Sequence, residues 1–81
     1  MKLEILTPDK IIYEGTITSV TVPGTMGSFQ ILSDHAPIIS TLEQGYITVR
    51  KAQNVETFFV KSGVVEALDN KIVVLVEGLA N

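Results

Sequence analysis

The feature that most constrains this chain is a hydrophobic period of two that never gives way to a helical one. Apolar side chains alternate with polar ones from Lys2 to Ile5, and strand-like runs return at Ile11–Glu14, Thr16–Val22, Phe29–Leu32, Ile38–Leu42, Tyr46–Arg50, Thr57–Lys61, Val64–Leu68 and Lys71–Val76. Alternation puts every second side chain on one face of an extended strand, so such runs read as strands with one buried side. No window of a dozen residues carries the spacing of an amphipathic helix. Turn residues separate the runs about every eight positions, at Thr7-Pro8-Asp9-Lys10, Pro23-Gly24, Glu43-Gln44-Gly45, Ala52-Gln53-Asn54, Ser62-Gly63 and Asp69-Asn70. The pattern predicts one all-β domain over residues 1–81, a flattened antiparallel β-sandwich or barrel of about ten short strands.

Two places carry finer expectations. Ile17 sits on one parity while Val20 and Val22 sit on the other, which predicts a β-bulge near Thr18-Ser19. The Val73-Val74-Leu75-Val76 run is apolar on both parities, so its strand is central or covered by something else.

A chain of 81 residues without cysteine has only its apolar core, or a partner, to hold it together. Its apolar fraction of 46% is high for so much surface, and some of that surface is expected to meet a partner. The net charge is −3 and Arg50-Lys51 is the only basic pair, which argues against a nucleic-acid surface. No apolar run approaches the roughly 18 residues of a membrane span, and no signal peptide follows Met1-Lys2. The chain reads as a soluble protein that could sit beside a membrane only by holding something that spans one.

The stretch from Val22 to Leu42 holds two of the three prolines and the one histidine, and is where a site is expected. His35 beside Asp34 is the first candidate for chemistry. Neighbouring loop side chains diverge, however, and no second histidine or cysteine is present to share a metal. Ser33 and Ser40 lack a nucleophile-elbow pattern. Glu66 with Asp69, and Glu4 with Asp9, read as solvated strand and turn residues. Gly24 and Gly27 lack the Lys-Ser/Thr and the helix of a phosphate loop. Lys10 and Met26 do not make the modified-lysine tip of a lipoyl or biotinyl carrier. No catalytic residue, metal or cofactor is expected. Met26, Phe29, Ile31 and Leu32 either cap the core or project to a partner, and spacing does not decide between the two.

These residues carry a resemblance. Thr7-Pro8-Asp9, Tyr13-Glu14-Gly15, Val22-Pro23-Gly24, Gly27, Phe29, Ile31-Leu32, His35-Ala36-Pro37, Leu42, Gly45, Ser62-Gly63 and Glu66 follow, in order, the pattern of the N-terminal β-domain of the epsilon subunit of F-type ATP synthases. The chain resembles that family along its whole length. The resemblance implies a ten-stranded sandwich and a non-catalytic rotor part of a proton-translocating synthase, at the cytoplasmic face of a bacterial membrane. It implies two partners, the gamma subunit and the c-ring. The c-ring-facing loop would be Met26, Gly27, Ser28, Phe29 and Gln30, and the gamma-facing candidates are His35, Pro37, Ile38, Ser40 and Leu42. Ser28 stands where many family members carry an acidic residue, and Gln30 where they carry glycine, so no ion pair to the ring is carried over. The family usually continues into a C-terminal helical hairpin, and a chain ending at Asn81 would lack it. The reading from another class is a free-standing sandwich that binds a small ligand or hydrolyses one around Asp34 and His35. A deep polar pocket at that loop would favour it, and a flat apolar face would favour the interaction subunit.

Overall fold

Every alternating run becomes a strand. The computed structural model describes residues 1–80, and they form nine strands and no helix. The strands are β1 (Lys2–Leu6), β2 (Ile11–Thr16), β3 (Ser19–Gly24), β4 (Gly27–Leu32), β5 (Ile38–Leu42), β6 (Gly45–Lys51), β7 (Asn54–Val60), β8 (Gly63–Leu68) and β9 (Lys71–Val76). The order β2-β1-β9-β8-β5 makes one layer, and β4-β3-β6-β7 makes the other. A single residue pair, Gly24 with Leu42, joins β3 to β5 and turns the sheet from one layer into the next.

The inward residues of both layers form one core. Leu3, Ile5, Val65, Ala67, Ile72 and Val74 face inward from the five-strand layer, and Val20, Val22, Ile31, Ile47, Val49 and Val60 from the four-strand layer. At the open side, Tyr13 of β2 meets Phe58 of β7 edge-to-face, with ring centroids 5.8 Å apart. That pair bridges β2 and β7, the two ends of the strand order, which are not paired with each other.

The described residues hold nine strands, in keeping with the expected number of about ten, and Val60 adds an isolated bridge to Leu79. Two expectations need correction. The fold is not wholly antiparallel, because β1 lies parallel to β9, from Lys2 opposite Lys71 to Leu6 opposite Leu75. No bulge occurs at Thr18-Ser19. The strand ends there instead, because Ile17 N donates to Met1 O in one layer while Thr18 N donates to Arg50 O in the other, at 2.8 Å each. The parity change marks a crossing between layers. The register shift lies between Ile5 and Leu6.

The β9 run does occupy a central position, between β1 and β8. Its second apolar parity, Val73 and Leu75, points away from the core. Asp69 and Asn70 both take positive φ, 52° and 60°, the backbone of a two-residue hairpin turn that Asp and Asn tolerate.

Candidate interaction surfaces

Strand directions sort the turns into two ends of the sandwich. The turns after β1, β3, β5 and β7 lie at one end, which carries Met26. The connections after β2, β4, β6 and β8 lie at the other, which carries His35. Strands of five to seven residues separate the two ends by roughly 20 Å. The Val22–Leu42 stretch is therefore two sites rather than one.

At the first end, β3 and β4 form a tight hairpin whose turn residues are Thr25 and Met26. Gly27 supplies the φ of +122° that starts the return strand. At Gly24 the constraint is space, since a Cβ would lie 2.7 Å from the Gly27 carbonyl oxygen and 2.8 Å from the Phe29 ring. The stem is braced to β5. Thr25 N donates to Thr41 O at 3.1 Å, the two threonine hydroxyls are 2.8 Å apart, and Glu43 N donates to Pro23 O at 2.9 Å. Met26 stands at the tip and is 100% exposed. The brace fixes the backbone beneath Met26, while its wholly exposed, flexible side chain keeps its rotamer freedom.

The five residues Met26 to Gln30 do not all face one way. Gly27 and Ser28 are exposed beside the tip. Phe29 turns inward and packs on the core. Gln30 points out from the four-strand layer, and its Nε2 donates to Ser19 Oγ at 3.3 Å. The turns at Glu43-Gln44 and Lys61-Ser62 share this end, which topology reveals and local sequence does not.

At the second end, Asp34 takes a φ of 61° and its N–H donates to Asn70 Oδ1 at 2.9 Å, tying the loop to the β8–β9 turn. His35 Nδ1 lies 2.9 Å from Ala36 O. In the tautomer that lets Nδ1 donate, Nε2 is a buried acceptor without a partner. The clefts at Lys2, Glu14 and Lys71, at Leu6, Pro8 and Leu75, and between Tyr13 and Lys51 are all away from His35. Among the described residues, no cluster of three or more His, Cys, Asp or Glu could hold a metal. Nor is any helix long and apolar enough to cross a membrane.

The β5 candidates are corrected by strand parity. Leu42 is 2% exposed and belongs to the core, so it is not available to a partner. Ile38 is half-buried against that core, and Ser40 shares its parity. The outward residue is Ile39, 77% exposed. His35 is half-buried and Pro37 is exposed in the loop before β5.

Ile39 belongs to a larger outward face. On the five-strand layer the registers place Ile11, Leu6, Leu75, Val64 and Thr41 in one row across all five strands. The next row is Glu14, Glu4, Val73, Glu66 and Ile39, and the third holds Thr16, Lys2, Lys71 and Leu68. Ile11 and Leu75 are 57% and 53% exposed.

Together these features define a small all-β sandwich with a braced, exposed tip at one end and an apolar row along one face. The family model for the ATP synthase delta/epsilon chain β-sandwich domain matches residues 1–81, and the chain belongs to that family. The ATP synthase epsilon chain of Sulfurimonas denitrificans is 47% identical over 79 residues, covering 96% of this chain and 61% of that relative. The epsilon chain of Chlorobium limicola is 36% identical over 80 residues, covering 98% of this chain and 91% of that one. This chain thus spans about three-fifths of the Sulfurimonas relative and nearly all of the Chlorobium one. In solved structures, a chain of the Euglena gracilis mitochondrial ATP synthase (OSCP/F1/c-ring) superposes with a TM-score of 0.89 at 15% identity, over 96% of this chain and 51% of that one. A chain of the Tetrahymena thermophila synthase central stalk and c-ring does so with 0.79 at 22% identity, over 99% and 65%. At those identities the likeness shows the shared fold.

Proposed function

We propose that this chain acts as the β-sandwich part of a non-catalytic central-stalk subunit in a bacterial F-type ATP synthase. It touches the c-ring with its Met26 end and grips the gamma subunit elsewhere, at the cytoplasmic face of the membrane. The observation that carries the reading is the family match over the whole chain, combined with a fully exposed methionine on a cross-braced hairpin. A rotor part must pass torque without bending, and a braced two-residue turn suits that task. Met26, Gly27 and Ser28 make the ring contact. With Ser28 neutral, that contact rests on the methionine side chain and on hydrogen bonds. Gamma binding falls to His35 and Pro37 and, by the parity of β5, to Ile39 in place of Leu42.

The chain has no cysteine, so an introduced one reports on a single position. In the assembled synthase, a Ser28→Cys variant is expected to crosslink to the ring and a Ser33→Cys variant at the opposite end is not. Crosslinking from Ser33→Cys alone would reverse the orientation. Crosslinking from neither would remove the ring contact.

A further inference from the structure

We propose that Met26 is a reversible oxidation site: peroxide converts its thioether to the sulfoxide in the unassembled chain and so controls docking of the tip. The inference rests on the ring contact proposed above and adds a regulation of that contact.

The chain has two methionines and no cysteine, so only two sulfur atoms are open to oxidation. Their settings differ. Met1 is half-buried and packs against the core, and its carbonyl oxygen accepts from Ile17 N at 2.8 Å. Met26 is 100% exposed at the turn between β3 and β4. The oxidation of a thioether follows its exposure. Neighbouring residues give no cover. Thr25, Gly27 and Ser28 are small and themselves exposed, and the Phe29 ring packs on the core. The brace from Thr25 to Thr41 and from Glu43 to Pro23 holds the backbone beneath Met26, so the tip does not fold back over its sulfur.

The step balances with one molecule of hydrogen peroxide. A sulfur lone pair attacks one peroxide oxygen, an S–O bond forms and the O–O bond breaks. The second oxygen leaves as water after a proton transfer. Sulfur gives up two electrons and peroxide takes them. The product is polar and chiral where the thioether was apolar. A wholly exposed side chain supports no packing within the domain, so the fold does not register the change. A docked partner does register it, because a buried sulfoxide oxygen needs a hydrogen-bond donor that an apolar contact does not supply. Seating the tip covers the sulfur, so oxidation acts before assembly. Methionine sulfoxide reductases, one for each epimer, reverse it.

The test treats the purified 81-residue chain with hydrogen peroxide. Peptide mass spectrometry is expected to find one added oxygen on Met26, formed about tenfold or more faster than on Met1. The thermal midpoint should move by less than about 2 °C. Rebinding to synthase stripped of this subunit should weaken about tenfold or more, and the two reductases should restore it. A Met26→Leu chain should rebind like the untreated parent before and after peroxide. Equal oxidation of Met1 and Met26, a midpoint that falls with sulfoxide content, or equal weakening of the parent and the Met26→Leu chain would each overturn the inference. Unweakened rebinding of the oxidised parent, with Ser28→Cys still crosslinking to the ring, sinks the inference alone. An untreated chain that fails to rebind, or whose Ser28→Cys variant misses the ring, sinks the proposed contact and the inference with it.

Discussion

The parity of β5 gives the sharpest prediction. Leu42 and Ile39 lie three residues apart in the same strand, yet one is 2% exposed and the other 77%. Truncating Leu42 to alanine removes core methyl groups at the point where one layer passes into the other. Backbone pairing of Leu42 with both Gly24 and Gly63 limits how far the site can collapse around the loss. A leucine truncated to alanine in such a setting costs about 3 to 4 kcal/mol. A domain of this length holds in total only about 4–12 kcal/mol, so the variant should retain at best about three-quarters of it. Ile39→Thr keeps a β-branched residue on the outward face and should cost under about 0.5 kcal/mol. Urea unfolding followed by far-ultraviolet circular dichroism reads both. With an m-value of about 1 kcal/mol/M, the Leu42→Ala midpoint falls by about 3 M and the Ile39→Thr midpoint by less than about 0.5 M. A Leu42→Ala loss below about 1 M, or an Ile39→Thr loss of equal size, would refute the assignment of the inward parity.

Three further outcomes are expected. Gly24→Ala forces its new Cβ against the Gly27 carbonyl and the Phe29 ring. It should lower stability by about 1–2 kcal/mol, seen as a fall in thermal midpoint of about 5–15 °C, and an unchanged midpoint would dismiss the steric argument. Ala52 holds a φ of 53° in the β6–β7 turn. Ala52→Gly relieves that strain and should raise the midpoint in the same melt by a few degrees, about 0.5–1 kcal/mol. The Tyr13–Phe58 contact is testable by a double-mutant cycle to leucine, with a coupling of about 0.5–1.5 kcal/mol expected. Additivity of the two single changes would mean the edges are held by something else.

Much of the fold was legible because a period of two needs no long-range information. The alternation at Leu3 and Ile5, and again at Ile47 and Val49, marks buried strand faces directly, and Asp69-Asn70 marks a hairpin by its own turn chemistry. The family's residue pattern, from Thr7-Pro8 through His35-Ala36-Pro37 to Glu66, was also legible in the chain. The remainder depended on pairing. Ile38 and Ile39 are both isoleucine, so local pattern cannot choose which one faces inward. The parallel partnership of β1 with β9 joins opposite ends of the chain and leaves no local mark. The outward row from Ile11 to Val64 is assembled from four strands, each contributing one residue whose exposure is unremarkable alone. Met26 and His35 sit close in sequence, and only the direction of β4 carries them to opposite ends.

The parallel pairing of β1 and β9 has a mechanical consequence. Met1 lies at one end of the sandwich and the chain leaves β9 at the other, while the two strands lie side by side in register. A force pulling Lys2 and Val76 apart therefore runs along the strand axes. It loads the whole β1–β9 ladder in shear, so its hydrogen bonds share the load and must yield together. A hairpin pulled open from its free ends would instead give up one bond at a time. Stretched between Lys2 and Val76, this domain is built as a shear clamp.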